Sequence, residues 1–266
     1  VSLTEDFRRL LAQIGLRDPA AVAVIPDAYD QELFAPQDRA ACRAALGIAD
    51  AAPLIAYAGM TFAHRWLDGL LAAVDRLRHE YPQLIVLLAG GRPAEIEALQ
   101  QQARGLELTV VDWRGVQKAQ STEHRAQSTE QIMRQPCIIF TGPRPQAEVV
   151  QLLGAADVLA IPDTVTDVTA SPLKLFEYLA LGQPLVLPRI PALHEIVPEA
   201  LSYSFARQDL AGLVEALRAA LNAGPDSIKA AERRRIAAEH TYTRRAQRIV
   251  ELVETLAEEL GVKREA

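Results

Sequence analysis

Covalent and metal chemistry have little to work with in this sequence. Only two cysteines, Cys42 and Cys137, occur among 266 residues. They stand far apart with no CxxC or histidine spacing around them, so neither a disulfide framework nor a zinc site is signalled, and a reducing cytoplasm is the expected compartment. No apolar run approaches the ~18 to 20 residues of a membrane-spanning helix. The opening VSLTEDFRRLLAQIG lacks a methionine, a charged leader and the apolar stretch of a signal peptide, and it reads as the middle of a protein. Basic charge is also in short supply. With 28 Lys and Arg against 34 Asp and Glu, the net charge is −6, which argues against nucleic acid as the main partner.

What is present is apolar and ordered. Half the residues are hydrophobic and 23% are charged, the balance of a soluble globular chain with a substantial core. Short, nearly continuous apolar runs at 53–59, 84–90, 108–113, 137–142, 157–162 and 184–188 are bounded by Gly, Pro or charge, as strands buried on both faces are. Amphipathic helical patterns lie between them, at Leu67 to Arg78, Ala94 to Ala103, Gln146 to Leu153 and Ser171 to Gly182. That alternation predicts a Rossmann-like, doubly wound parallel sheet of about six strands with helices on both faces. From Asp209 onward the pattern is helical only, in three pieces broken near NAGPDS and HTYT. The start, Thr4 to Gly15, predicts a helix, followed by a short strand and a Pro-bounded connection. Between Asp112 and Pro136 the stretch AQSTE occurs twice with almost no apolar positions, which predicts a surface insertion at 114–136.

In an open parallel sheet, ligands bind beyond the carboxyl ends of the strands. Four loops there are suggestive: Gly59 to Trp66, Gly90 to Pro93, Gly142 to Pro145, and the stretch leading into SPLKLFEYLALG. Glycines admit a ligand close to the backbone and arginines meet phosphate, although glycine after a strand is also ordinary turn chemistry. The last stretch holds an oddity. Ser171 suits a helix cap, Pro172 the first helical position and Gly182 a left-handed end, yet Lys174 sits in the first turn, where the helix dipole disfavours a cation. Two readings are open. Either an anion such as a diphosphate sits at this helix start, with Glu177 one turn behind it to accept hydroxyl hydrogen bonds, or Lys174 and Glu177 are an exposed pair contributing ~0.2 to 0.5 kcal/mol.

SPLKLFEYLALGQPLVLPRIPALHEIV resembles the donor-binding signature of the group 1 family of retaining glycosyltransferases with a GT-B fold, in its SPLKLFEY-type subset. VIPDAYDQELFAP, IAYAGMTFAHRWLDGLLAAVDRL and IIFTGPRPQAEVVQLLGAADVLAIP resemble further elements of that family, in family order over roughly residues 20 to 200. The resemblance implies that Glu177 binds the nucleotide ribose and that Ser171, Leu173 and Lys174 bind diphosphate or donor sugar. It implies a phosphate-facing role for the loop after Gly59, with Arg65 on the family's lysine position, and a place beside the nucleobase for Gly142 and Arg144. It further implies a nucleoside diphosphate sugar as substrate, with no metal and no other cofactor. Two positions depart from the pattern: Met60 replaces an arginine and Thr169 the first acidic residue.

The family's acceptor domain lies before VIPDAYD, so the resemblance implies that residues 1–36 end a missing N-terminal domain and that 37–266 are the donor-binding half. The closing helix would cross back to that partner domain and leave apolar side chains uncovered here. Membrane contact, common where acceptors are lipids, belongs to the other half and stays open. Other candidates have plainer readings. His64 suits a surface loop, His194, near Glu195, capping or packing, Trp66 and Trp113 packing, and ERRR at 232–235 a solvated helical face. Asp163 and Asp167 have no specific metal spacing.

Overall fold

The structure, a computed structural model, describes residues 1–113, 135–164 and 172–259. The repeat-bearing segment, as well as Asp167, Thr169 and Ser171, lies outside the described residues. Within them the strands are β1 (Leu54–Ala58), β2 (Ile85–Ala89), β3 (Thr109–Asp112), β4 (Cys137–Gly142), β5 (Val158–Ala160), β6 (Leu185–Pro188) and β7 (Tyr203–Phe205). The helices are α1 (Glu5–Gln13), α2 (Arg39–Leu46), α3 (Leu67–Leu77), α4 (Pro93–Gly105), α5 (Gln146–Gly154), α6 (Leu173–Leu181), α7 (Pro191–His194), α8 (Leu210–Ala223), α9 (Ser227–Ala238) and α10 (Tyr242–Glu259).

All strand pairings are parallel, in the order β3-β4-β2-β1-β5-β6-β7. The six expected runs all form strands, and the sheet gains a seventh. Only three residues long, β7 is too short for a periodic signal, and it ends the sheet beside β6. The winding starts at β1, proceeds outward through β2, then returns to add β5, β6 and β7 on the other side. Chain reversal therefore falls between β1 and β5. Every residue of β1 and β2 is buried, because helices cover both faces. Leu54, Ala56 and Ala58 face the helices α5 and α6, whereas Ile55 and Tyr57 face α3 and α8.

The helices begin and end where local chemistry allows. Asp38 accepts hydrogen bonds from Ala40 N and Ala41 N to start α2, and left-handed Gly47 ends it. That Ala-rich helix was not expected, since large apolar residues are sparse on its buried side. In α6, Gly182 takes the expected left-handed conformation, but Pro172 occupies the capping position and Leu173 opens the helix. The predicted short strand in the first 36 residues is reduced to single bridges, Ser2 with Val24 and Tyr29 with Thr241. Tyr29 and Phe34 nevertheless reach the core beside α6. α1 and α10 bury no residue fully; Ile249, Val250, Val253 and Leu256 of α10 are exposed. Among the described residues no helix is long and apolar enough to cross a membrane.

The sequence Arg233 to Arg235 is not a uniformly solvated face. Arg233 is buried, its Nε donates to Leu201 O at 2.8 Å and its Nη1 to Gly182 O at 3.1 Å, while Arg234 donates to Leu181 O at 3.1 Å. α9 packs along α6, so two guanidinium groups meet the carbonyl end of α6, where the helix dipole favours cations. Arg235 alone fits the solvated reading, paired with Glu232 at 2.7 Å.

Candidate functional site: the carboxyl edge of the sheet around Lys174

Three loops are stitched together where β1, β2 and β4 end. Gly59 N donates to Ala89 O at 2.8 Å and Gly90 N to Gly142 O at 2.9 Å. Gly59 has φ +139° and Gly90 φ +102°, and a Cβ on Gly90 would lie 2.5 Å from Gly59 O. Only glycine tolerates both that backbone and that approach. Thr61 extends the stitching by donating to Glu95 of α4 at 2.8 Å.

α6 places its first turn over this floor. Its Tyr178 is fully buried and accepts a hydrogen bond from Ala58 N at 2.7 Å, satisfying the last amide of β1. One turn earlier, Lys174 is 8% exposed. Its amine passes the bare α-carbon of Gly59, where a Cβ would stand 2.6 Å from Nζ. It then donates to Tyr57 Oη at 2.7 Å and lies 3.9 Å from the centroid of the Tyr57 ring. Tyr57 in turn donates to Met60 O at 2.6 Å. The exposed Lys174–Glu177 pair is therefore ruled out: the lysine is buried, and its hydrogen-bond partner is a phenol.

The charges at this spot are poorly compensated. Burial, then the nearby Arg65 guanidinium, hold the Lys174 amine well below the usual lysine range, with Glu177 a weaker opposing influence. Arg65 is partly buried and its Nε has no hydrogen-bond partner. Burial pushes the Glu177 carboxyl up to about 7, against the attraction of Lys174. Two cations and a carboxylate thus share one crevice without forming a salt bridge among themselves. Since a buried charge lacking a partner is costly, this arrangement is suited to a ligand carrying several negative charges together with hydroxyl groups.

The remaining expected residues divide. Leu173 is exposed at the start of α6. Gly142 joins the stitched floor, and Arg144 lies beside it, its Nε donating to Thr141 O at 3.1 Å and its Nη1 3.7 Å from Glu148. Asp163 is fully buried and engaged by Arg207 Nε at 2.7 Å, Gln208 Nε2 at 3.1 Å and Thr164 N at 2.7 Å. Trp66 packs on Gly69 and stacks on Phe205, and Trp113 is buried. His194 bonds Val197 O and Ser204, and Glu195 caps α1 through the amides of Glu5 and Asp6, each at 2.8 Å. Sequence reasoning missed Tyr57 and Tyr178. A tyrosine at the end of a buried strand just before glycine was the available sign.

A cavity of about 680 Å³ opens at the opposite, amino edge of the sheet, near Pro53, Asp157, Gly182 and Arg234. Its polar groups are largely engaged. Arg39 pairs with Asp157 at 2.7 Å, and Asp226 caps α9. Among the described residues, the buried charge that lacks a salt bridge lies at the carboxyl edge instead.

Known proteins resemble this chain in sequence and in fold. The glycosyl transferase-like family matches residues 134–251. Over that segment the chain is similar to glycosyl transferase-like proteins. Among similar proteins, a D-inositol 3-phosphate glycosyltransferase of Mycobacterium sp. (strain KMS) is 26% identical over 90% of this chain and 47% of its own length. Sucrose-phosphate synthase from Thermosynechococcus elongatus has the same fold over 97% of this chain and 58% of its own, with a TM-score of 0.73 and 20% identity. Anabaena HepE in complex with UDP-glucose gives a TM-score of 0.70 at 18% identity, over 96% of this chain and 63% of its own. The chain thus spans less than half of the curated glycosyltransferase it matches.

Proposed function

We propose that this chain is the donor-binding domain of a glycosyltransferase and binds a nucleoside diphosphate sugar, with the diphosphate against Lys174, Arg65 and the amides opening α6. In that arrangement Glu177 accepts hydrogen bonds from the ribose, the backbone at Gly142 with Arg144 flanks the base, and Leu173 lies toward the donor sugar. The observation that carries the reading is Lys174, a buried amine with no carboxylate partner among the described residues, beside a second cation that repels it. A diphosphate supplies the missing negative charge, and the helix start adds free amides. The UDP-glucose in HepE supports a uracil nucleotide as the first donor to test.

In the whole protein the reading is transfer of a hexose or related sugar to an acceptor with retention of configuration. Lys174, Arg65 and the helix amides stabilise the departing diphosphate electrostatically, and the acceptor enters from a preceding domain of which residues 1–36 are the end. On that view the exposed apolar stripe of α10 packs against the same domain, the donor half alone does not turn over, and no metal is needed. Calorimetric titration with UDP, GDP, ADP and dTDP tests the binding step. Saturable binding of one nucleotide, weakened in both Lys174→Ala and Glu177→Ala, is the expected result. Equal binding by Lys174→Ala would sink it.

A further inference from the structure

Lys174 and Tyr57 belong to elements on opposite faces of the sheet. α6 packs with Leu54, Ala56 and Ala58, whereas Tyr57 points into the cluster under α3 and α8. Only the end of the strand is open between them, and it is open because residue 59 carries no side chain. A flexible lysine side chain loses considerable rotamer freedom when buried, so a fixed contact must hold it. The geometry of Tyr57 supplies one. Its O–H is committed to Met60 O at 2.6 Å, which leaves its oxygen lone pairs for the Lys174 amine at 2.7 Å, and its ring faces the same nitrogen at 3.9 Å.

We propose that Tyr57 is a positioning residue for the donor diphosphate, holding the Lys174 amine at the carboxyl end of β1 so that its remaining N–H groups meet phosphate oxygens. The proposal rests on the diphosphate reading of the site and goes beyond it, since Tyr57 acts through the Lys174 amine it holds. It has a protonic consequence. The groups around the amine are Tyr57 and Arg65 from the β1 side and Glu177 and Tyr178 from α6; the two phenols are raised by burial and stay neutral, and Arg65 opposes a charge on Lys174. The acceptor oxygen of Tyr57 favours the ammonium form, so without it the amine is harder to protonate, and an arriving anion has to draw that proton from solvent.

A double-mutant cycle separates this from a packing role. UDP and, as a base-independent probe, inorganic pyrophosphate are titrated into the wild type, Tyr57→Phe, Lys174→Met and the double variant between pH 6.5 and 8.5. Phenylalanine keeps the buried ring and removes only the acceptor. The expected result is about a tenfold loss of affinity in Tyr57→Phe, the scale of a hydrogen bond to a charged group, growing as pH rises, and no further loss when the change is made in Lys174→Met. An equal, pH-independent loss in both backgrounds, or no loss in either, overturns the proposal. If Lys174→Met binds both probes like the wild type, it is the diphosphate reading itself that fails. Gly59→Ala provides the second test should Tyr57→Phe unfold: its Cβ pushes Nζ away from an unaltered Tyr57 and should reproduce the loss, and wild-type affinity there overturns the assignment.

Discussion

Two buried cations sit at opposite ends of the same sheet and differ in nearly every respect but charge. Arg43, at the amino end, is fully buried and satisfied. Its Nε donates to Ala155 O at 2.8 Å, its Nη1 to the carbonyls of Ala49, Asp50 and Ala52 at 2.8 to 3.0 Å, and its Nη2 to Asp157 Oδ2 at 2.6 Å. Asp157 also accepts from Leu54 N, so the cluster ties α2 to the starts of β1 and β5. Lys174, at the carboxyl end, has one neutral oxygen and a repelling neighbour. Burial of a charge is therefore no guide to its role. On the proposed reading, what distinguishes the structural cation from the ligand-binding one is whether the described residues complete its coordination.

Removing the completed cation should have the largest effect. Arg43→Met leaves Asp157 with Arg39 and Leu54 N alone and strands several buried carbonyls, and a loss of about 3 to 5 kcal/mol is expected, measured as a lowered urea midpoint. If stability holds, the contrast between the two ends collapses. Glu177 offers the next largest. Its folded-state value of about 7 lies above the ordinary 4.5, so the native protein keeps a proton that the unfolded chain releases. Stability from this group is full below about pH 4.5 and declines as pH rises to about 7, by roughly 1.4 kcal/mol per unit at most.

His240 works in the opposite sense. Burial chiefly, with help from Arg248, lowers it to about 4, so its contribution is present above about pH 6.5 and is lost as pH falls toward 4. The two opposing trends share one window. Thermal unfolding of Glu177→Gln should show stability rising between pH 4.5 and 6.5, while His240→Gln should show it falling. Gly59→Ala comes third, with about 1 to 3 kcal/mol for a side chain forced to positive φ, read from its unfolding midpoint. The smallest change belongs to Lys174→Met. Replacing this buried cation by an apolar chain of similar size should alter stability by less than about 1 kcal/mol, even as nucleotide binding weakens. That pairing of weakened binding with kept stability is the sharpest form of the contrast.

Most of the sheet was legible because buried parallel strands announce themselves as short apolar runs, and all six such runs became strands. β7 escaped because three residues such as Tyr203 to Phe205 carry no period. The helical tail was readable from the breaks at Asn222 and His240, but Arg233 was not. A side chain reaching across to another helix's carbonyls leaves no mark in its own neighbourhood. The site was half legible. Lys174 could be singled out because it contradicts the local preference of a helix start, and Glu177 because it lies one turn on. Tyr57 could not, since its meaning comes from a lysine 117 positions away, joined to it only through the gap that Gly59 leaves.

The strand order has a consequence for how the molecule comes together. Ile55 in the central strand pairs with Val86 on one side and with Val158 on the other. A chain emerging from synthesis can assemble β1 through β4 early, but the far edge of β1 must wait until β5 arrives, and α6 follows later still. Long-range parallel pairing of this kind is slow and leaves an open edge in the meantime. The crevice is thus a seam between an early half and a late half, and Tyr57 and Lys174 come into contact only when that seam has closed.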